Sequence, residues 1–284
     1  MNRRDFLKLG AAVLFGVAVS SLTGFTYAIE IEPEWLDKTI VELVLPNLDP
    51  AFDRFRLVQV SDIHASKWMP EGRLASVVDA VNSLRPDLVA ITGDFVSHSP
   101  WKFQQILINQ LRRLDPVYGS VAVLGNHDHW NDADIVRSVI AESGLTDLDN
   151  SFCTLRRQGT SLHFAGVDDY MEHKDRLDEV LKQLPREGAA VLLAHEPDYA
   201  NISAPTGRFD LQISGHTHGG QVSLPLIGAP ILPSYGRQYP RGLYRIKQMQ
   251  LYTNRGVGMI HLPFRFNSRP EVTLFVLRSP EAIG

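Results

Sequence analysis

The stretch Gly125-Asn126-His127-Asp128 limits what this chain can become more than any other. It follows Val121-Ala122-Val123-Leu124, an apolar run that reads as a buried strand. An asparagine amide oxygen can coordinate a divalent ion without adding charge. The neighbouring His127 can then face a substrate, and Asp128 is expected to hold that ring in one tautomer. Alone the tetrapeptide is also an ordinary turn, because Asn and Gly favour turns. Its meaning depends on whether further metal-ligating residues lie elsewhere in the chain.

Four other places carry them. Phe55–Val60 reads as a strand that ends in Ser61-Asp62-Ile63-His64. Residues two apart in an extended chain point the same way, so Asp62 and His64 can approach one ion. Leu74, Val77, Val78, Val81 and Leu84 recur at helical spacing, and Pro86 closes that helix. Asp87 to Thr92 is a second buried strand, ending in Gly93-Asp94, where the glycine permits a close turn and the carboxylate offers two oxygens. A second helix carries Phe103, Ile106, Leu107 and Leu111. Later, Ala189 to Ala194 is an apolar strand that delivers His195. Phe209 to Ile213 leads into Ser214-Gly215-His216-Thr217-His218-Gly219-Gly220-Gln221. Two histidines two apart, flanked by glycines, can reach adjacent ions from one turn. Asp62 and His64, or His195, taken singly, read more readily as an exposed loop or as structure. Three strand–turn–helix units in succession predict parallel strands with right-handed crossovers, and each polar turn then falls at a strand's carboxyl end.

The remaining pattern is less specific. Asp132 is expected to cap a third helix through Ile135, Val136, Val139 and Ile140. Strands are expected near 151–155 and 161–167, with His163 structural, then a helix over 177–184 and strands near 242–246, 250–253 and 271–277. From Val222 to Arg241 the chain is rich in Pro, Leu, Ile and Gly and reads as a long loop packed on its own domain. His129 reads as a solvent-facing turn residue. Arg241 and Arg255 read as surface arginines, with steering of an anionic substrate as the alternative.

The 284 residues suit one catalytic domain, over 55–284, with 29–54 as a connecting segment. A net charge of −4 gives no nucleic-acid signature. Cys153 is the only cysteine, which excludes a disulfide within the chain and a thiolate-rich zinc site. Ten histidines point any metal toward nitrogen and oxygen ligands.

Residues 1–28 form a separate object. Arg3-Arg4-Asp5-Phe6-Leu7-Lys8 precedes an uncharged run from Leu9 to Ala28, followed by Glu30, Glu32 and Glu34. The order resembles a twin-arginine export signal, with Asn2 where a small hydroxyl residue is more usual. The alternative is a plain membrane anchor, since about 20 residues span a bilayer. Either way the basic head stays cytoplasmic and the catalytic domain lies outside, in the periplasm or at the cell surface.

In order, Asp62-x-His64, Gly93-Asp94, Gly125-Asn126-His127-Asp128, His195 and Gly215-His216-x-His218 resemble the calcineurin-like metallophosphoesterase family, over roughly residues 55 to 255. The N-terminus, the Gly-His-Thr-His-Gly-Gly-Gln stretch and Thr253-Asn254-Arg255-Gly256-Val257-Gly258 are similar to its bacterial exported or membrane-associated branch. The resemblance implies an α/β fold of two packed mixed sheets flanked by helices, a four-layer α-β-β-α sandwich. It implies two divalent metal ions (Mn, Fe, Zn, Co or Ni): one on Asp62, His64 and His218, the other on Asn126, His195 and His216, with Asp94 bridging. His127 and Asp128 are the implied catalytic residues. The expected reaction is phosphoester hydrolysis, of a diester above all, by in-line attack of a metal-activated water. Two other readings stand beside it. One is a pyrophosphatase of a lipid-linked nucleotide such as UDP-2,3-diacylglucosamine, in which Leu224, Leu226, Ile227, Ile231 and Leu232 form an apolar lip at a membrane. The location of such precursors in the cytoplasm speaks against it. The other is a metal-stabilised interaction module that does no chemistry.

Overall fold

The computed structural model describes residues 23–282. Most of the expected export signal, residues 1–22, lies outside the described residues. Two six-stranded sheets form the centre. The first runs in the order β1 (Asp37–Val44), β12 (Glu271–Arg278), β2 (Phe55–Val60), β3 (Leu88–Thr92), β4 (Ser120–Val123), β5 (Thr146–Asp147). The second runs β10 (Gly242–Ile246), β11 (Met249–Thr253), β9 (Leu211–Ser214), β8 (Ala189–Leu193), β7 (Thr160–Gly166), β6 (Ser151–Arg157). Both are mixed: β2 to β5 are parallel while β12 runs antiparallel to β2, and β7, β8, β9 and β11 are parallel while β6 and β10 are antiparallel edges.

The layers follow from the two-residue period of the strands. Along β2, Phe55 and Leu57 point inward to a core shared with Phe164, Val191, Leu193 and Ile213 of the second sheet. Val58 and Val60 point outward, under the helices α1 (Glu71–Ser83), α2 (Pro100–Leu111) and α4 (Ala133–Glu142), while the short α3 (Asn126–Asn131) follows the turn after β4. On the far side, Ala190 and Leu192 of β8 pack under α5 (Leu177–Gln183) and the turns around α6 (Ala200–Ser203). Strands buried on both faces read as continuous apolar runs, which is why β3, β4 and β8 stand out in the sequence. The four-layer sandwich is therefore present.

Two expectations need revision. Residues 29–54, read as a connector, belong to the packed domain. Within them β1 pairs in parallel with β12, from Asp37 beside Glu271 to Val44 beside Arg278. Just before β1, the Glu32 carboxylate is fully buried and accepts hydrogen bonds from the Asn267 and Ser268 amides. The 222–241 loop does lack regular strands and helices, but its tip is not buried. Leu226, Ile227 and Ile231 are 108%, 75% and 80% exposed. No helix among the described residues is long and apolar enough to cross a membrane.

Candidate metal centre

The turns that follow β2, β3, β4, β8 and β9 all open at one end of the sandwich, where the two sheets meet. Each carries the polar residues singled out in the sequence. Strand pairing sets their spacing: the Asp62 amide donates to the Gly93 carbonyl, His64 to Asp94, and Gly215 to His195. These turns adopt costly backbone. Asp62, His64, Asp94, His216 and His218 have φ of 52°, 48°, 57°, 71° and 52°. Non-glycine residues in this left-handed region cost about 1–3 kcal/mol each and concentrate where side chains must be aimed.

The side chains converge. Asp62, His64 and His218 bring one ligand atom each within 4.8 Å of one another, and so do Asp62, Asp94 and His195; all are buried. His64 Nε2 lies 3.0 Å from His218 Nε2, and His216 Nδ1 lies 3.3 Å from His195 Nε2. Asp94 Oδ2 stands between the groups, 3.3 Å from His64 Nε2 and 3.3 Å from His195 Nε2. Among the described residues Asn126 Oδ1 is buried without a hydrogen-bond partner.

Two of the rings have their far nitrogens fixed. His195 Nδ1–H donates to the Thr92 carbonyl at 2.7 Å, and His216 Nε2–H donates to the Ser234 carbonyl at 2.8 Å. His195 Nε2 and His216 Nδ1 therefore face inward, which is the arrangement a ligating histidine needs. Buried nitrogens packed nose to nose, two carboxylates and an orphaned amide oxygen make poor partners for one another but a good donor set for divalent cations. The residues fit such a centre.

The charges of the cluster act strongly on one another. Burial acts on Asp94, but His195 and His127 beside it hold its carboxyl well below the usual range. The reciprocal pull of Asp94 and Asp62 overcomes burial at His195 and raises that imidazole well above its ordinary value. His127 is placed differently. Its ring sits edge-on to His64, with centroids 4.8 Å apart, and belongs to neither ligand group. Burial and the neighbouring imidazoles His64, His195 and His216 outweigh Asp94 and push its pKa down to about 4. Its backbone amide donates to Asp94 Oδ1 at 2.9 Å.

Three sequence expectations change here. Asp128 does not touch the His127 ring: its oxygens accept from the amides of Phe95, Val96 and Gly125. It pins the β3 and β4 turns together rather than orienting His127. His129 is not solvent-facing. It pairs with Asp168 at 2.6 Å, its side chain only 5% exposed. Arg255 is no surface arginine: it is half-buried and engaged by Glu271 and Asp37, whereas Arg241 is exposed as read and donates to the Asn267 carbonyl. Sequence reasoning missed Arg265 altogether. Fully buried, it donates to the carbonyls of Arg255, Gly256, Gly258 and Ser268, and Nη2 lies 3.3 Å from His218 Nδ1. It braces the 255–258 turn against Asp62; no local pattern distinguishes it from a surface arginine.

Comparisons with known proteins point the same way. The family model described as calcineurin-like phosphoesterase matches residues 55–220, more than half of the chain. The chain is 36% identical to the uncharacterized metallophosphoesterase YkuE of Bacillus subtilis over 98% of both proteins. It is 29% identical to the phosphodiesterase YaeI of Escherichia coli over 98% of this chain and 99% of that one. A transmembrane protein with a metallophosphoesterase domain from Danio rerio is 31% identical over 84% of this chain and 56% of its own length. The chain belongs to the calcineurin-like phosphoesterase family, and it is a metal-dependent phosphoesterase.

Proposed function

We propose that this protein is a phosphodiesterase working with a pair of divalent cations outside the cytoplasm. The observation that carries the reading is the position of Asp94, whose Oδ2 is equidistant from His64 Nε2 and His195 Nε2. Asp62, His64 and His218 would hold one cation, Asn126, His195 and His216 the other, and Asp94 both. When bound, the cations supply Lewis acidity, which makes water nucleophilic at neutral pH and offsets charge on the phosphoryl group. The chain's own part is positional. Thr92 and Ser234 fix the ring orientations of His195 and His216. Asp128 locks the two turns that carry Asp94 and Asn126. His127 stands beside the ligand set as a neutral ring with one N–H to donate to a phosphoryl or leaving oxygen. The E. coli relative's name as a phosphodiesterase supports the choice of diesters.

The test is release of p-nitrophenol from bis(p-nitrophenyl) phosphate with added Mn, set beside the monoester p-nitrophenyl phosphate. Faster release from the diester is expected. A metal-loaded protein inactive on a broad phosphoester panel would instead support the non-catalytic module.

A second reading, a lipid-linked pyrophosphate substrate, is favoured by one observation. The base of the 222–241 loop reaches the N-terminal segment. Val222 bridges to Phe266, whose ring packs edge-on to Tyr27, at the point where the apolar N-terminal run meets the domain. Export or anchoring through residues 1–28 would bring this face to a membrane. Equal rates on soluble and acylated pyrophosphates would remove the reading.

A further inference from the structure

Beside His127 the surface opens into a cleft of about 280 Å³ that contains none of the seven candidate ligands. Its walls come from the turn after β2, the turn after β3 with the first turn of α2, and the 260–261 segment. Trp68, Phe103 and Ile260 make an apolar floor. Lys67 and Lys102 stand at the exposed rim, and no carboxylate lines the cleft. Among the described residues no ion pair involves either lysine. The Lys67 ammonium rests 5.3 Å from the Trp68 ring centroid.

Two buried polar atoms of cleft-lining residues lack partners. Ser97 is 5% exposed and its Oγ makes no hydrogen bond; His127 is 8% exposed and its Nδ1 makes none. Buried polar groups are nearly always paired, so an orphan in a cleft wall is a group that a ligand or a water can complete. α2 also begins here, with no acidic residue in its first turn to answer the positive end of its dipole. Unpaired cations above an apolar floor complement a ligand that is apolar in the middle and anionic at its end.

We infer that this cleft is a subsite for the part of the substrate beyond the scissile phosphate, and that it takes a second anionic group on a short apolar spacer. The inference rests on the phosphoester reading for what sits at the ligand cluster. It narrows the substrate class to phosphoesters bearing two separated negative groups. Lys67 and Lys102 receive the second anion, Trp68 and Phe103 pack on the spacer, and Ser97 Oγ–H donates to the anion or to a spacer oxygen.

The test uses alkyl monophosphates of two to six methylenes, ending in hydroxyl, carboxylate or phosphate. They are measured as competitive inhibitors of bis(p-nitrophenyl) phosphate hydrolysis by the Mn-loaded protein, and by calorimetry for direct binding. At one spacer length the anionic ends should bind about 10-fold tighter than hydroxyl, the effect of two partly exposed ion pairs. Phosphate over carboxylate would identify the second group as a phosphate; equality would leave it any anion, and both outcomes support the subsite. The double variant Lys67→Ala/Lys102→Ala should bring that ratio close to one, and Ser97→Ala should reduce it. Both lysines are exposed, so thermal unfolding of the double variant should match wild type. A ratio of one at every spacer length, or a ratio unchanged in the double variant, overturns the subsite. Calorimetric preference without diester turnover sinks the phosphodiesterase reading and leaves the subsite standing; turnover without preference does the reverse.

Discussion

Gly215 lies flat against the carboxylate of Asp62: any Cβ at residue 215 would overlap Asp62 Oδ2 and Ser61 Oγ. The absence of a side chain there lets the β9 turn of one sheet close over the β2 turn of the other. The His216 amide can then donate to Asp62 at 3.0 Å. In Gly215→Ala the overlap must be relieved by moving both Ser61 and Asp62, at a cost of about 1–3 kcal/mol. We expect a lower melting temperature and a loss of bound metal, measured by elemental analysis after dialysis against a fixed metal buffer. Wild-type metal content in a variant whose melting temperature has fallen would argue against Asp62 as a ligand.

His127→Ala separates chemistry from metal binding. The ring belongs to neither ligand group, and the backbone amide that serves Asp94 survives the change. Diester turnover should fall by about 10²–10³, the usual loss when one preorganised hydrogen-bond donor is removed. Metal content should stay at the wild-type value. Full turnover would remove His127 from the mechanism.

Chelation should abolish turnover and also weaken the fold. Asp62 and Asp94 are buried within one ligand cluster, and burial together with the Asp94 charge pushes the Asp62 carboxyl up. A ligand present at 100 times its dissociation constant stabilises the native state by about 2.7 kcal/mol. The melting temperature should therefore rise with metal concentration and drop on addition of EDTA. A melting temperature indifferent to both would argue that no cation occupies the cluster.

Asp149 makes stability depend on pH. Burial, then the charges of Asp168 and Asp147, push its pKa up to about 7 despite the Leu124 amide and Arg137. Between about 4 and 7 the folded chain keeps a proton that the unfolded chain has released. Stability from this group is thus present at pH 4 and is lost as pH rises through 7. Denaturant unfolding of wild type and Asp149→Asn at pH 5 and pH 8 measures it. The loss between the two pH values should be smaller in the variant by at least about 1 kcal/mol.

Cys153 should be chemically quiet. Burial pushes its thiol up to about 11. Only the thiolate reacts, so alkylation by iodoacetamide at pH 8 should run about 100-fold slower than for a free cysteine. Unfolding the protein in urea should restore the ordinary rate.

By itself the sequence determined the ingredients of the site and their order. Asp62, Asp94, Asn126, His195 and His216 each follow an apolar run, because a strand buried on both faces must be apolar throughout and must end in a polar turn. Those signals are local, and they also placed the helices and most strands. Only the tertiary structure decided what depends on partners distant in the chain. Asp128 looked like the partner of His127 by adjacency, yet its oxygens serve amides 32 and 33 residues away. The meanings of His129 and Arg265 came from Asp168 and from the 255–258 carbonyls. β1 escaped notice because it is an edge strand whose residues alternate between buried or half-buried and exposed, and Ile40 and Val44 on its exposed face blur the apolar period. The physical reason is common to all of these. Periodicity records which face of an element is buried, whereas a hydrogen bond or an ion pair records which loops meet in space, and that meeting is set by the packing of the two sheets.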